Sequence, residues 1–175
     1  MPVPEAAGAN GGPAPPLLLA VGNELRGDDA AGLRVAQRLG HDSPRSYRIA
    51  IAPAAIDRLL EIWEGRPLVV VVDAVRSGRA PGSIVRLEVG RDPWPPGLGP
   101  TSTHGLSLTE AVALGQALGR LPRRLVIYGI EGSAFGVGEE LSAEVAAALP
   151  ELARAVAKEL GARPTGAPTG RPPHA

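Results

Sequence analysis

The stretch of sequence that decides the fold is LLLAVGNELRGDDAAGLRV, residues 17–35. Its first six residues form a short apolar run, which is typical of a strand that is buried on both faces. A turn at Gly22 follows, and from Gly32 onward apolar residues recur at the spacing of a helix face. Asp28 and Asp29 lie side by side between the strand and the helix, where their like charges repel each other.

Strand and helix patterns alternate along the rest of the chain. Strands are predicted at residues 17–22, 47–52, 68–74, 83–89 and 123–130, and helices are predicted to begin near Gly32, Pro53, Ser107 and Leu141. The link from Val75 to Gly82 is too short for the helical crossover of a parallel pair, so the strand at 83–89 is predicted to run antiparallel at an edge. We therefore predict an α/β protein, a three-layer α/β/α sandwich with a mostly parallel, five-stranded twisted sheet and one antiparallel edge strand.

Length and composition limit the classes of protein that fit. The 175 residues suit one domain, predicted at 17–161 between Pro/Gly-rich tails at 1–16 and 162–175 that we expect to be disordered. The 18 basic and 18 acidic residues cancel, which argues against a nucleic-acid partner. The chain has no cysteine, no signal-peptide pattern and no apolar run long enough for a bilayer. The lack of cysteine is compatible with a reducing cytoplasm. We expect a monomer without a membrane partner.

Titratable side chains gather where the predicted strands end. Ligands of such sheets bind beyond the carboxyl ends of the strands. The predicted topology brings Asp28, Asp29 and Asp73 to that edge, together with His104 from the loop before the third helix. Two carboxylates and one imidazole form a ligand set that suits nickel, zinc or copper. Glu131 follows the last strand, and it either belongs to this site or holds a loop.

Each of these residues also has an ordinary structural interpretation. An Asp after a strand often caps the next helix, and Asp73 alone fits a turn residue. His104 alone is more often a surface or capping residue than a ligand. A non-catalytic nucleotide- or anion-binding module that uses the turn at Gly22 is an alternative, although adjacent acids repel phosphate. A general zinc peptidase is a second alternative.

Four blocks of sequence, taken in order, resemble the hydrogenase maturation endopeptidase family over about residues 17–156. The specific patterns are G-N-x-L-x-G-D-D, D-A-x6-P-G and S-x-H-G-L-S-L. The blocks are GNELRGDDAAGLRVAQRL (22–39), VVVVDAVRSGRAPGSIVRLE (69–88), THGLSLTEAVALGQALGRLP (103–122) and VIYGIEG with LSAEV (126–132 and 141–145).

This resemblance implies a cytoplasmic protease that removes the C-terminal extension of a nickel–iron hydrogenase large-subunit precursor after nickel insertion. Carried over by motif, the metal-contacting residues are Asp29, Asp73 and His104. We expect the precursor to bring the nickel, so that this protein holds no permanent metal. Asp28, Asp29 and Asp73 are the predicted catalytic residues of a carboxylate- and metal-assisted peptidase, with Asp28 or Asp29 as the general base.

Overall fold

The computed structural model describes residues 14–41, 46–53, 55–95 and 108–161. A short 3-10 helix, Gly27–Ala30, precedes the first α-helix. The strands are β1 (Leu17–Ala20), β2 (Arg48–Ile51), β3 (Val69–Val75), β4 (Ile84–Glu88) and β5 (Leu125–Glu131), and the α-helices are α1 (Ala31–His41), α2 (Ile56–Trp63), α3 (Leu108–Ala117) and α4 (Ala143–Glu159). This is the order of strands and helices that the sequence predicts.

The five strands form one sheet in the order β2-β1-β3-β5-β4. The β1–β2, β1–β3 and β3–β5 pairs are parallel, whereas β4 pairs antiparallel with β5 at the edge. The predicted antiparallel edge strand is therefore confirmed. Because β5 lies between β3 and β4, residues 76–83 cross the carboxyl end of β5 to reach β4.

Helices cover both faces of the sheet, which confirms the three-layer prediction. Alternate residues of β1 point to opposite faces: Leu18 packs in the core under α1 and α4, and Leu19 packs in the core under α2 and α3. Val69, Val70, Val71 and Val72 of β3 are all fully buried, two toward each face. This explains why the strands read as unbroken apolar runs rather than as alternating ones.

Some element boundaries differ from the sequence prediction by a few residues. The helix predicted to begin near Pro53 begins at Ile56. The carbonyls of Pro15 and Pro16 already accept hydrogen bonds from Arg66 Nη1 (3.0 Å) and the Arg48 amide (2.8 Å), just before the predicted domain start at residue 17. These contacts fix the entry of the chain into β1.

Other predictions fall on residues outside the described ranges. These residues are His104, Ser107, residues 1–13 of the predicted N-terminal tail and all of the predicted C-terminal tail, 162–175. Within the described ranges, no helix combines the length and apolar content that a membrane span needs.

An ion-pair network joins the edge strand β4 to β5 and α4. Arg124 donates to both oxygens of the buried Glu88 (3.2 and 3.0 Å) and also to Glu159 (2.9 Å). Arg86 donates to the same two carboxylates, at 3.0 and 2.9 Å. Hydrogen bonds from Arg124 and Arg86 lower the pKa of Glu88 from 4.5 to about 2. Charged side chains on an outer strand also discourage pairing with other chains.

We expect Glu88→Gln to lower the free energy of unfolding at pH 7 by roughly 1–2 kcal/mol, because its charge-assisted contacts with Arg86, Arg91 and Arg124 weaken. Since the folded-state pKa of Glu88 lies below the unfolded value, its stabilisation is complete above pH 4.5 and is lost as the pH falls toward about 2. The gap between wild type and variant in urea unfolding should therefore be smaller at pH 3 than at pH 7. Glu61→Gln, which alters an exposed pair with Arg58, is the control. An equal gap at both pH values would contradict the prediction.

Candidate active site

A sharp turn after β1 brings the acidic pair back over the end of that strand. Gly22 has φ of 137°, and a Cβ built there would lie 1.8 Å from the backbone oxygen of Asp29. The Asn23 amide donates to the same oxygen at 3.3 Å. Only glycine fits this approach, because any side chain at position 22 would displace the backbone of Asp29.

Asp28 is fully buried, and its carboxylate binds the loop between β5 and α4, residues 132–142. Its Oδ2 accepts from the amides of Ser133 (2.7 Å) and Ala134 (2.9 Å), and its Oδ1 accepts from the Ser142 amide (2.7 Å). Burial alone would raise the pKa of Asp28, but the hydrogen bonds from these amides outweigh it, and the pKa lies below its usual 3.8. Asp28 is thus an ionised anchor for this loop.

Asp29 and Asp73 are buried at the same edge of the sheet. Asp29 is 4% exposed and belongs to the 3-10 helix, and Asp73 is 8% exposed and lies near the end of the central strand β3, opposite Gly129 of β5. Asp73 lines a cleft of about 760 Å³ beyond the carboxyl ends of β1, β2 and β3. Gly22, which contacts the Asp29 backbone, lines the same cleft. An acid that is buried yet faces a cleft can bind a cation or accept a proton there.

Glu131 holds the link between β3 and β4. Its Oε1 accepts from the amides of Ser77 (2.8 Å) and Gly78 (2.9 Å), and its Oε2 accepts from the Ser77 hydroxyl (2.6 Å). Its backbone oxygen also accepts from the Gly82 amide at 2.8 Å. Of the two roles that the sequence leaves open for Glu131, the observed contacts are those of a loop-holding residue.

We expect Glu131→Gln to lower the free energy of unfolding by about 2 kcal/mol, because the Gln amide group would turn a donor toward donors in the link. Urea unfolding of the variant measures this loss. The exposed Glu61, changed to Gln, should shift the same curve by less than about 0.5 kcal/mol. Equal stability of both variants would show that the link does not depend on the carboxylate.

The predicted acids therefore reach one edge of the sheet, as the topology requires. Asp28, Asp29 and Asp73 are all there and all buried. His104, the third predicted metal contact, lies outside the described residues. In the part of the chain that the structure describes, no three His, Cys, Asp or Glu side chains form a metal-binding group.

Sequence reasoning missed the loop of residues 132–142 as a part of this site. Ser142 caps α4 by accepting from the Val145 amide at 3.4 Å, while its own amide binds Asp28. In the same loop the Phe135 ring lies 4.6 Å beneath the Arg76 guanidinium, a cation–π contact. The glycine-rich stretch GIEGSAFGVG (129–138) predicts such a loop, but it does not indicate that the loop binds Asp28.

Fold and site together define an α/β protein with buried acids at the carboxyl edge of its sheet. Residues 41–159 match the family model described as HycI, hydrogenase maturation protease. The chain belongs to the hydrogenase maturation protease family. Asp73 and His104 lie inside the matched range, and the Asp28–Asp29 pair precedes it.

Two bacterial relatives agree with this assignment. The hydrogenase expression/formation protein HupD of Rhodobacter capsulatus is 28% identical over 117 residues, 66% of this chain and 56% of the relative. HupD of Thiocapsa roseopersicina is also 28% identical over 117 residues, 53% of its length. The chain thus spans about half the length of the curated relatives that it matches.

Solved structures share the fold. The hydrogenase maturating endopeptidase HybD from E. coli has a TM-score of 0.71 and 24% identity, covering 84% of this chain and 92% of that one. The [NiFe] hydrogenase maturation protease HybD from Thermococcus kodakarensis has a TM-score of 0.63 and 28% identity, covering 82% and 97%. The predicted fold class is therefore confirmed.

Proposed function

We propose that this protein is an endopeptidase that removes the C-terminal extension of a nickel–iron hydrogenase large-subunit precursor after nickel has been inserted. Membership of the hydrogenase maturation protease family supports a role in processing a hydrogenase precursor. One structural observation carries the proposal. Asp73, a buried acid at the end of the central strand, faces a cleft of about 760 Å³ on the edge where the other predicted acids lie.

In this proposal Asp29, Asp73 and His104 contact the nickel that the precursor already carries. Carboxylates and imidazole are ligands that a borderline divalent ion accepts. A divalent charge beside buried carboxylates favours their ionised forms, so that the metal and the acids stabilise each other. The metal thereby selects a precursor that has already received its nickel, and it positions the bond to be cut. Such positioning can supply several kcal/mol of barrier reduction.

Hydrolysis needs a base that takes a proton from a water molecule as the water oxygen bonds to the peptide carbonyl carbon; the C–N bond then breaks as the nitrogen receives a proton. The contacts of Asp28 favour Asp29 for this step. Asp28 already accepts three amide hydrogen bonds, and its lowered pKa makes it a weaker base. In the proposal Asp29 takes the proton and returns it to the leaving amine, and Asp28 positions Asp29.

We propose that a single peptidase domain, residues 17–161, acts as a monomer in the cytoplasm on the large-subunit precursor. Neither a nucleic acid nor a membrane has a part in the proposed reaction.

The test is to incubate the purified chain with a candidate large-subunit precursor, with and without nickel, and to follow the precursor mass. Loss of a C-terminal segment only from the nickel-loaded precursor is the expected result. Cleavage of unrelated peptides together with stoichiometric zinc would instead indicate a general zinc peptidase. An unchanged precursor mass with a panel of nickel-loaded precursors would overturn the proposal.

A further inference from the structure

A cation–π pair lies at the carboxyl edge of the sheet, and neither of its members lines the cleft beside Asp73. The Arg76 guanidinium, on the link after β3, lies 4.6 Å from the centroid of the Phe135 ring, on the loop between β5 and α4. Phe135 is the only phenylalanine of the chain, and it lies half-buried on a loop rather than in the core. Core packing therefore does not explain an aromatic ring at this position.

The Phe135 ring is held next to the acidic pair. A Cβ built at Gly132 would lie 2.5 Å from Phe135 Cζ and 2.9 Å from Asp28 Cβ, so the tip of the ring lies close to the buried acid. The Phe135 carbonyl accepts from Arg26 Nε at 3.3 Å, which joins the loop to the turn after β1. These contacts fix the ring, and the ring in turn holds the Arg76 guanidinium at the edge where the acids lie.

The Arg76 side chain is exposed, and its N–H donors can reach a ligand. Stacking on a ring uses the face of a guanidinium and leaves the donors in its plane available. In the described ranges no carboxylate forms an ion pair with Arg76. Glu139, from the same loop as Phe135, binds the Gly136 amide at 2.6 Å. A guanidinium that is held in place in this way suits a carboxylate, which accepts two parallel N–H bonds from it.

We propose that Arg76 binds a carboxylate of the precursor close to the cleaved bond and thereby contributes to substrate selection. The inference rests on the proposed function, because it takes Asp73 as a residue that contacts the reacting region. Arg76 follows Asp73 by three residues at the end of β3, an extended distance of about 10 Å. An extended precursor segment that leaves the bond at Asp73 covers this distance in about three residues. The carboxylate belongs either to an acidic side chain of that segment or to the C-terminus of the precursor.

The cation–π contact also joins the link to the loop, so ligand binding has to be separated from a purely structural role. A structural role predicts that an Arg76 variant melts at a lower temperature and keeps its KM. Ligand binding predicts a raised KM with kcat little changed. It also predicts a dependence on salt, because an exposed ion pair is screened by ions.

The first arm of the test changes the guanidinium. Arg76→Gln should raise the KM for nickel-loaded precursor about tenfold, because one charge-assisted pair is lost. Arg79→Gln is the matched control, since Arg79 is exposed on the same link, and its KM should change less than about twofold. Raising the salt concentration from about 0.05 M to about 0.5 M should raise the KM of wild type more than that of Arg76→Gln. A wild-type KM in the Arg76 variant would overturn the inference.

The ring is tested separately. Phe135→Leu keeps an apolar side chain in the loop but removes the face on which the guanidinium stacks, so KM should rise about threefold. In the double variant, Phe135→Leu should add nothing to the effect of Arg76→Gln, because the ring acts through the cation that it holds. Fully additive effects would show that the ring acts independently of Arg76 and would overturn its role as a positioning residue.

The second arm changes the precursor at constant nickel loading. Each Asp or Glu within about five residues of the bond is replaced by its amide, one at a time, and the C-terminal carboxylate is amidated in a separate precursor. One of these changes should raise the KM of wild type about tenfold and leave the KM of Arg76→Gln unchanged. Whether a side-chain change or the amidation has this effect identifies the source of the carboxylate.

The outcomes distinguish this inference from the proposed function. If none of the precursor changes raises the KM of wild type, the assignment of Arg76 is overturned while the proposed protease function stands. Failure of the wild type to cleave the unmodified nickel-loaded precursor would overturn the proposed function itself.

Discussion

Asp73→Asn is expected to reduce processing of a nickel-loaded precursor at least about a hundredfold, the scale of losing one charge-stabilising group at a reacting centre. Asn has nearly the same shape as Asp, so the buried end of β3 should keep its packing. What is lost is the negative charge beside the cleft. In the proposed mechanism that charge binds the nickel of the precursor, and the metal in turn places the bond.

A binding measurement separates this explanation from a general loss of structure. Asp73→Asn should weaken binding of nickel-loaded precursor while leaving the weaker binding of nickel-free precursor unchanged. Asp92→Asn is the matched control, because Asp92 follows β4 at the opposite edge of the sheet and is 43% exposed. Normal processing by the Asp73 variant would refute metal recognition by this residue.

The sheet shows which features of the fold can be predicted from local sequence and which cannot. The unbroken apolar run at β3 follows from burial on both faces, and the short link after Val75 excludes a parallel neighbour connected by a helix. The insertion of β5 between β3 and β4 is not encoded in either strand alone. Glu131, on the inserted strand, binds the link between β3 and β4 from a position more than 50 residues away in sequence.

The acidic pair of the site also has contacts that local sequence does not predict. From the sequence, Asp28 and Asp29 are equivalent neighbours, and either one fits a general base. They differ in the structure because Asp28 meets three amides that lie 105 to 114 residues further along the chain. In the proposed mechanism the conformation of that loop, and not the spacing of the acids, distinguishes Asp28 as the anchor from Asp29 as the base.

Asp28→Ala is expected to lower the free energy of unfolding by about 4 kcal/mol, because three amides would lose a charged acceptor inside the protein. Hydrogen exchange at Ser133, Ala134 and Ser142 should accelerate more than exchange in β3, since the loop is released locally. The exposed Asp57, changed to Ala, is the control and should cost less than about 1 kcal/mol. Equal losses in the two variants would show that the loop does not depend on Asp28.

The milder change Asp28→Asn distinguishes an anchor from a base. Asn keeps one carbonyl oxygen for the amides but has no basic group, so an anchor role predicts reduced stability with processing retained to within about tenfold. Asp29→Asn should instead abolish processing, because the proposed base is lost. Measuring kcat at a temperature where both variants are folded compares them directly. If Asp28→Asn is as inactive as Asp29→Asn while its loop amides stay protected, then Asp28 takes part in the chemistry and the division of roles proposed for the two acids is wrong.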